Sequence, residues 1–134
     1  MAKESGLGWT RCEVDNAAAS AQEMRNECTS LEFSMPMNTQ EVTGLDKYAI
    51  ERLGLLQDYS GTLNGVFNPA ANKSHAVFSG NLRVPRTIGL TISAQILNAE
   101  VLLTDYALNR ASGGELTWKV PYALQDGTAP TWTT

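Results

Sequence analysis

The sequence predicts a mainly β fold, mostly antiparallel, with one α-helix packed on it. Three observations carry this. Period-two alternation dominates, most clearly at Leu116, Trp118, Val120, Tyr122 and Leu124, with Thr117, Lys119, Pro121 and Ala123 between them. Turn chemistry at Ala111-Ser112-Gly113-Gly114 joins that run to a Val-, Leu- and Thr-rich stretch, Glu100–Arg110, as a hairpin. Only one segment is punctuated as a helix: Asn68-Pro69 opens it, Gly80 closes it, and Ala71, His75 and Phe78 share a face.

The remaining elements follow in order. Strands are expected at Trp9–Asp15, Thr29–Met35, Thr39–Leu45, Tyr59–Phe67 and Thr87–Ala94. Tyr48–Leu53 reads as a strand or a helical turn, and Ala17–Glu27 as irregular chain with a turn. Pro121 argues for an edge or a bulge late in the last strand. Gly61 and Gly65 mark a bulge or a close backbone contact. The 134 residues fit one domain, 1–134, with residues 1–8 a flexible N-terminal arm.

Four strands share a pattern of one apolar face and one small polar face. Candidate core residues are Leu31, Phe33, Leu63, Phe67, Ile88, Leu90, Ile92, Leu116, Trp118 and Val120. Opposite them lie Ser30, Glu32, Ser34, Ser60, Thr62, Asn64, Thr87, Thr91 and Ser93, and Glu41 adds a carboxylate. An ordinary solvated sheet face has the same pattern.

Composition excludes several functions. The net charge is −4 and the ten basic residues are scattered, so no basic patch is available to grip phosphates. Apolar runs are too short to span a bilayer or form a signal peptide. His75 is the lone imidazole, read as a helix residue beside the core. Cys12 and Cys28 lack zinc spacing and read as buried small hydrophobes in a chain made in a reducing cytosol. No cofactor is expected. Ser, Thr, Asn and Gln supply 36 residues, a neutral polar surface suited to contact with other protein.

An ordered series of segments is familiar: Val42-Thr43-Gly44-Leu45-Asp46-Lys47, Glu51-Arg52-Leu53, Tyr59 through Asn68, Ser74-His75-Ala76-Val77-Phe78, Ala99 through Tyr106, Gly113 through Thr117, and Asp126 through Trp132. Together, over residues 9–132, they resemble the major tail tube proteins of long-tailed, non-contractile (siphovirus-type) bacteriophages. The resemblance implies an antiparallel β-sandwich or barrel with one short flanking α-helix, and a structural virion protein, not an enzyme. Its hexameric rings would stack into a tube that conducts genomic DNA during ejection, after assembly in the host cytoplasm with tape-measure, tail-tip and terminator proteins. Each subunit would give four strands to a shared inner barrel of about 24 strands, on the order of 45–50 Å across the backbone. That leaves room for a duplex about 20 Å wide. The polar residues named above, Ser30 to Ser93, are then expected on the lumen, passing DNA without binding it. The inner tube of a contractile tail or of a phage-derived injection device is the near alternative. A monomeric β-barrel carrying a small ligand is the alternative from another class.

Overall fold

The computed structural model describes residues 3–134. Among them ten strands and one helix occur. They are β1 (Trp9–Asp15), β2 (Ala21–Glu23), β3 (Cys28–Ser34), β4 (Met37–Glu41), β5 (Arg52–Gln57), β6 (Ser60–Val66), α1 (Ser74–Phe78), β7 (Arg86–Ile92), β8 (Gln95–Leu103), β9 (Ala107–Arg110) and β10 (Leu116–Leu124). The fold is mainly β and antiparallel throughout. One sheet runs β2-β1-β7-β8-β10-β6-β3, with β9 also on β10, while β4 and β5 form a separate two-stranded ribbon.

The long sheet curls around one core, because alternate residues of every main strand are apolar and must leave water together. Val14, Leu63, Ile88, Leu90, Val101, Trp118 and Val120 meet there. Its two ends approach each other without strand pairing. Met24 bridges them: its N–H donates to the Cys12 carbonyl (2.7 Å) and its carbonyl accepts from the Cys28 N–H (2.9 Å). The result is a barrel with a seam between β1 and β3.

Two glycines decide how that barrel is filled. Gly65 faces Trp118 and Gly61 faces Tyr122 across the β6–β10 ladder. A methyl group on either glycine would overlap the aromatic ring opposite it and the backbone carbonyl of Glu27 or Glu32. These are the close contacts the sequence suggested for Gly61 and Gly65. The Trp118 indole donates to the Val66 carbonyl (2.7 Å), and the Tyr122 and Tyr59 hydroxyls hydrogen-bond at 3.1 Å. Burial pushes both phenols above their ordinary range.

Several expectations are corrected in detail. The helix begins at Ser74, after Lys73, and not at Pro69: Asn72 has φ +61°, which breaks a helix, and Asn68 Oδ1 instead turns the chain by accepting from Ala70 N–H. Ala71 therefore lies outside it. The stretch Glu100–Arg110 is two strands, because Thr104-Asp105-Tyr106 interrupts it, and β8 starts earlier, at Gln95. The hairpin stands as β9–β10, with Gly114 at φ +97° in its turn. Pro121 is on neither an edge nor a bulge. Its carbonyl accepts from Thr104 N–H, so its missing donor points to the place where β8 has ended and β9 has not begun.

The strand expected through Ala94 stops at Ile92. Ser93 and Ala94, at φ +47° and +67°, form the two-residue turn into β8. Short β2 lies within the segment expected to be irregular. Of the expected arm, Met1 and Ala2 lie outside the described residues. Gly6–Gly8 is a 3-10 turn whose Gly8 carbonyl accepts from Ser93 N–H. Of the candidate core, Leu63, Ile88, Leu90, Trp118 and Val120 are buried. Leu31, Phe33, Phe67, Ile92 and Leu116 are half-buried around its margins.

Trp118→Ala is expected to cost about 3–5 kcal/mol, since it empties the barrel beside Gly65. Lys119→Ala, exposed on the same strand, is expected to stay within about 0.5 kcal/mol. Urea unfolding of the two variants checks both.

Candidate assembly surface

With the interior filled by side chains, chemistry is left to the outer faces. Cross-strand pairing makes one of them continuous. Ser30 pairs with Asn64, Glu32 with Thr62 and Ser34 with Ser60, while β10 adds Lys119 beside Asn64, Pro121 beside Thr62 and Ala123 beside Ser60. Directly paired residues share a face, so nine small or polar side chains form three rows. The face is short of charge but not free of it, since Glu32 and Lys119 stand on it. A shallow groove of about 470 Å³ crosses it between β3, β6 and β10.

The structure divides the expected polar set. Ser30, Glu32, Ser34, Ser60, Thr62 and Asn64 come together. Thr87 and Thr91 do not join them, because β7 lies three places from β6 in a sheet that wraps one core. Outward faces that far apart point away from each other. Thr87 Oγ1 instead donates to Glu100 Oε2 (2.9 Å), and Thr91 is paired with Arg11. Arg11 binds Glu13 Oε1 (3.1 Å) and Asn98 Oδ1 (2.9 Å), so this second face is an ion-paired network. Ser93 is on a turn, and Glu41 is on the ribbon.

The strand expected at Thr39–Leu45 is β4, Met37–Glu41, and the strand near Tyr48–Leu53 is β5, Arg52–Gln57; that the two stand apart as a ribbon is what the sequence did not disclose. Only Met35-Pro36 separates β3 from β4, and only Asp58-Tyr59 separates β5 from β6. Residues Cys28–Val66 thus make one long hairpin, whose outer half leaves the barrel. Leu45 and Tyr48 at its tip are as exposed as in an extended chain, at 109% and 107%, and Leu56 is 82% exposed. Met37, Ile50, Leu53 and Leu55 are exposed as well. A two-stranded hairpin is marginal in water by itself, and an apolar patch on this scale marks a contact surface. Alternation fails as a signal here because neither face of a free ribbon is buried.

The titratable groups make no catalytic arrangement. His75 Nδ1 lies 3.2 Å from the Tyr106 hydroxyl, and its ring packs on Phe67 at 4.9 Å. Glu27 is buried, accepting at Oε1 from Asn68 Nδ2 (3.4 Å) and Ser74 N–H (3.3 Å), while Oε2 has no partner. Arg86 is buried and donates to the carbonyls of Asp15, Val77 and Asn81, tying β7 to α1; burial pulls it below its ordinary range. Among the described residues no three His, Cys, Asp or Glu side chains cluster as metal ligands, and no helix is long and apolar enough to cross a membrane.

The same fold is also found in solved particles. A chain in the tail of an empty gene transfer agent particle, refined helically with C6 symmetry, matches with TM-score 0.75 at 18% identity. The fold is that of a chain of such a tail. The match covers 98% of this chain and all of the other. A chain of the virion of a native gene transfer agent particle matches with TM-score 0.69 at 17% identity, over the same shares. No family model matches the sequence, and no curated protein is significantly similar to it. The same fold is therefore adopted by chains that share fewer than one residue in five.

In this tail-type fold the ribbon contributes little to the stability of an isolated subunit. Leu45→Glu and Leu56→Glu are each expected to shift the unfolding free energy by no more than about 0.5 kcal/mol. Thermal melting of dilute monomer checks this.

Proposed function

We propose that this protein is the major tube subunit of a long, non-contractile phage-type tail. Six copies form a ring, rings stack into a tube, and the tube conducts double-stranded DNA without gripping it. The exposed apolar ribbon carries the reading. Its two strands reach on the order of 20 Å from the barrel, far enough to lie on another subunit. Burying a leucine-sized side chain contributes about 1.5–3 kcal/mol, and seven such side chains are exposed there. The contact is heterologous, ribbon to some other patch. Repeated heterologous contacts close into rings where the rotation allows and extend into filaments where it does not. The shared fold with a sixfold tail supports the same arrangement.

The polar rows on β3, β6 and β10 are the lumen wall in this proposal. Ser30, Ser34, Ser60, Thr62 and Asn64 offer no charge, and Glu32 is offset by Lys119 nearby. The wall is thus close to neutral, which limits the salt-dependent attraction that each phosphate contact with a cation would add. Further partners are the tape-measure, tail-tip and terminator proteins, in a virion tail assembled in the host cytoplasm.

Two measurements test this. Concentrated wild-type chain is expected to form rings or tubes under negative stain, and the Leu45→Glu, Leu56→Glu double variant to remain a folded monomer. A wild-type chain that stays monomeric even beside an initiating tail complex refutes the assembly. Thr62→Lys is expected to leave tubes intact yet slow DNA ejection, more at low salt than at high. Equal ejection at both, with the lysines in the lumen, refutes the neutral wall.

A further inference from the structure

The barrel seam holds the two cysteines, on strands that no ladder joins. Cys12 lies on β1 with its partner Leu90, and Cys28 opens β3 opposite Gly65. The peptide of Met24 hydrogen-bonds to both residues, at 2.7 and 2.9 Å. Both side chains belong to the same core cluster and line the same cleft of about 500 Å³, with Trp9, Arg25 and Leu31. The Cys28 thiol donates to the Ser30 carbonyl (3.3 Å). Both thiols are free.

We infer that Cys12 and Cys28 form a covalent modification site, a thiol pair that a small-molecule disulfide converts into a disulfide stapling the seam of the barrel. The two sulfurs have different tasks. Cys12 is 3% exposed, whereas Cys28 is half-exposed at the mouth of the cleft. The neighbouring Cys12 thiol holds the Cys28 thiol below its ordinary range against the effect of burial, and Cys28 together with burial pushes Cys12 up. Cys28 is therefore the attacking thiolate and Cys12 the resolving thiol.

The step balances. Cys28 thiolate attacks one sulfur of a disulfide R–S–S–R, forming Cys28–S–S–R and releasing RS⁻. That thiolate takes the Cys12 proton, and Cys12 sulfur then attacks Cys28 Sγ and expels the second RS⁻, which is protonated by water. Two protein thiols lose two electrons, and one small disulfide gains them as two thiols. The new bond joins β1 to β3, where hydrogen bonding runs only through Met24. In a reducing compartment the pair stays open; the link forms only where small disulfides accumulate.

The full-length folded chain, incubated with glutathione disulfide at neutral pH, tests this. Reactive thiols are expected to fall from two to none. The intact mass should drop by two hydrogens with no retained glutathione, the chain should stay monomeric on a non-reducing gel, and dithiothreitol should reverse the change. The oxidised chain should melt higher by on the order of 10 °C. Cys12→Ser is expected to trap a glutathione adduct on Cys28, and Cys28→Ser to react at least about tenfold more slowly than wild type. A persistent glutathione adduct on wild type, a disulfide between chains, or thiols that react only in denaturant would each overturn the assignment. None of these outcomes depends on tube formation, so the thiol pair and the proposed function stand or fall separately.

Discussion

The whole architecture depends on two aromatic rings of β10 being seated against two glycines of β6. Trp118 over Gly65 and Tyr122 over Gly61 fill the barrel from one side, with Leu63 and Val120 paired between them. A side chain at either glycine would force the ring out and open a void, and interiors tolerate neither overlap nor voids. Because β6 and β10 meet so closely, the alternate residues of both strands must turn outward. The polar rows of Ser60, Thr62 and Asn64 beside Pro121 and Lys119 are the other side of the same packing.

Packing of this kind fills the interior with side chains and leaves the grooves on the outside. It also frees the outer surface for contact with other protein. The surface is not uniform. The β1-β7-β8 side carries one ion pair, Arg11 with Glu13, and hydrogen bonds from Arg11 to Asn98 and from Thr87 to Glu100, the β3-β6-β10 side is small and nearly neutral, and the β4–β5 ribbon is apolar and unsupported. These are three kinds of surface on one subunit. A repeating assembly that must bind its neighbours in some directions and bind nothing in another requires such a division.

Much of this was legible beforehand, and the failures have physical causes. Leu116–Leu124 is legible to the residue because it alternates between core and surface, and Trp9–Asp15 is legible although a bulge between Trp9 and Arg11 breaks its alternation. The turn at Ser93-Ala94 was missed because neither residue is a usual left-handed one, so the tertiary pairing of β7 with β8 imposes the conformation. The early helix start at Pro69 was wrong because Asn68 and Asn72 favour local turns over helix, and Glu27 satisfies the Ser74 N–H from 47 residues away. No local signal announces that partner. In the candidate surface, Ser30 through Asn64 were identified but Lys119 was not. Only the pairing of β10 with β6 sets Lys119 beside Asn64.

What the sequence determined by itself was which residues face inward on each strand, since burial of alternate side chains is a local period. It also determined, through Gly61 and Gly65, that something large must approach β6. The tertiary structure decided which strands are neighbours, and therefore that Thr62 and Thr87 lie on opposing sides despite identical local patterns. It decided that Cys12 and Cys28 line one cleft beside Met24, and that residues 37–57 form a separate ribbon with its leucines exposed. Each of these turns on contacts between residues distant in the chain. A hydrophobic side chain has the same sequence signature whether it will be covered by its own chain or by another.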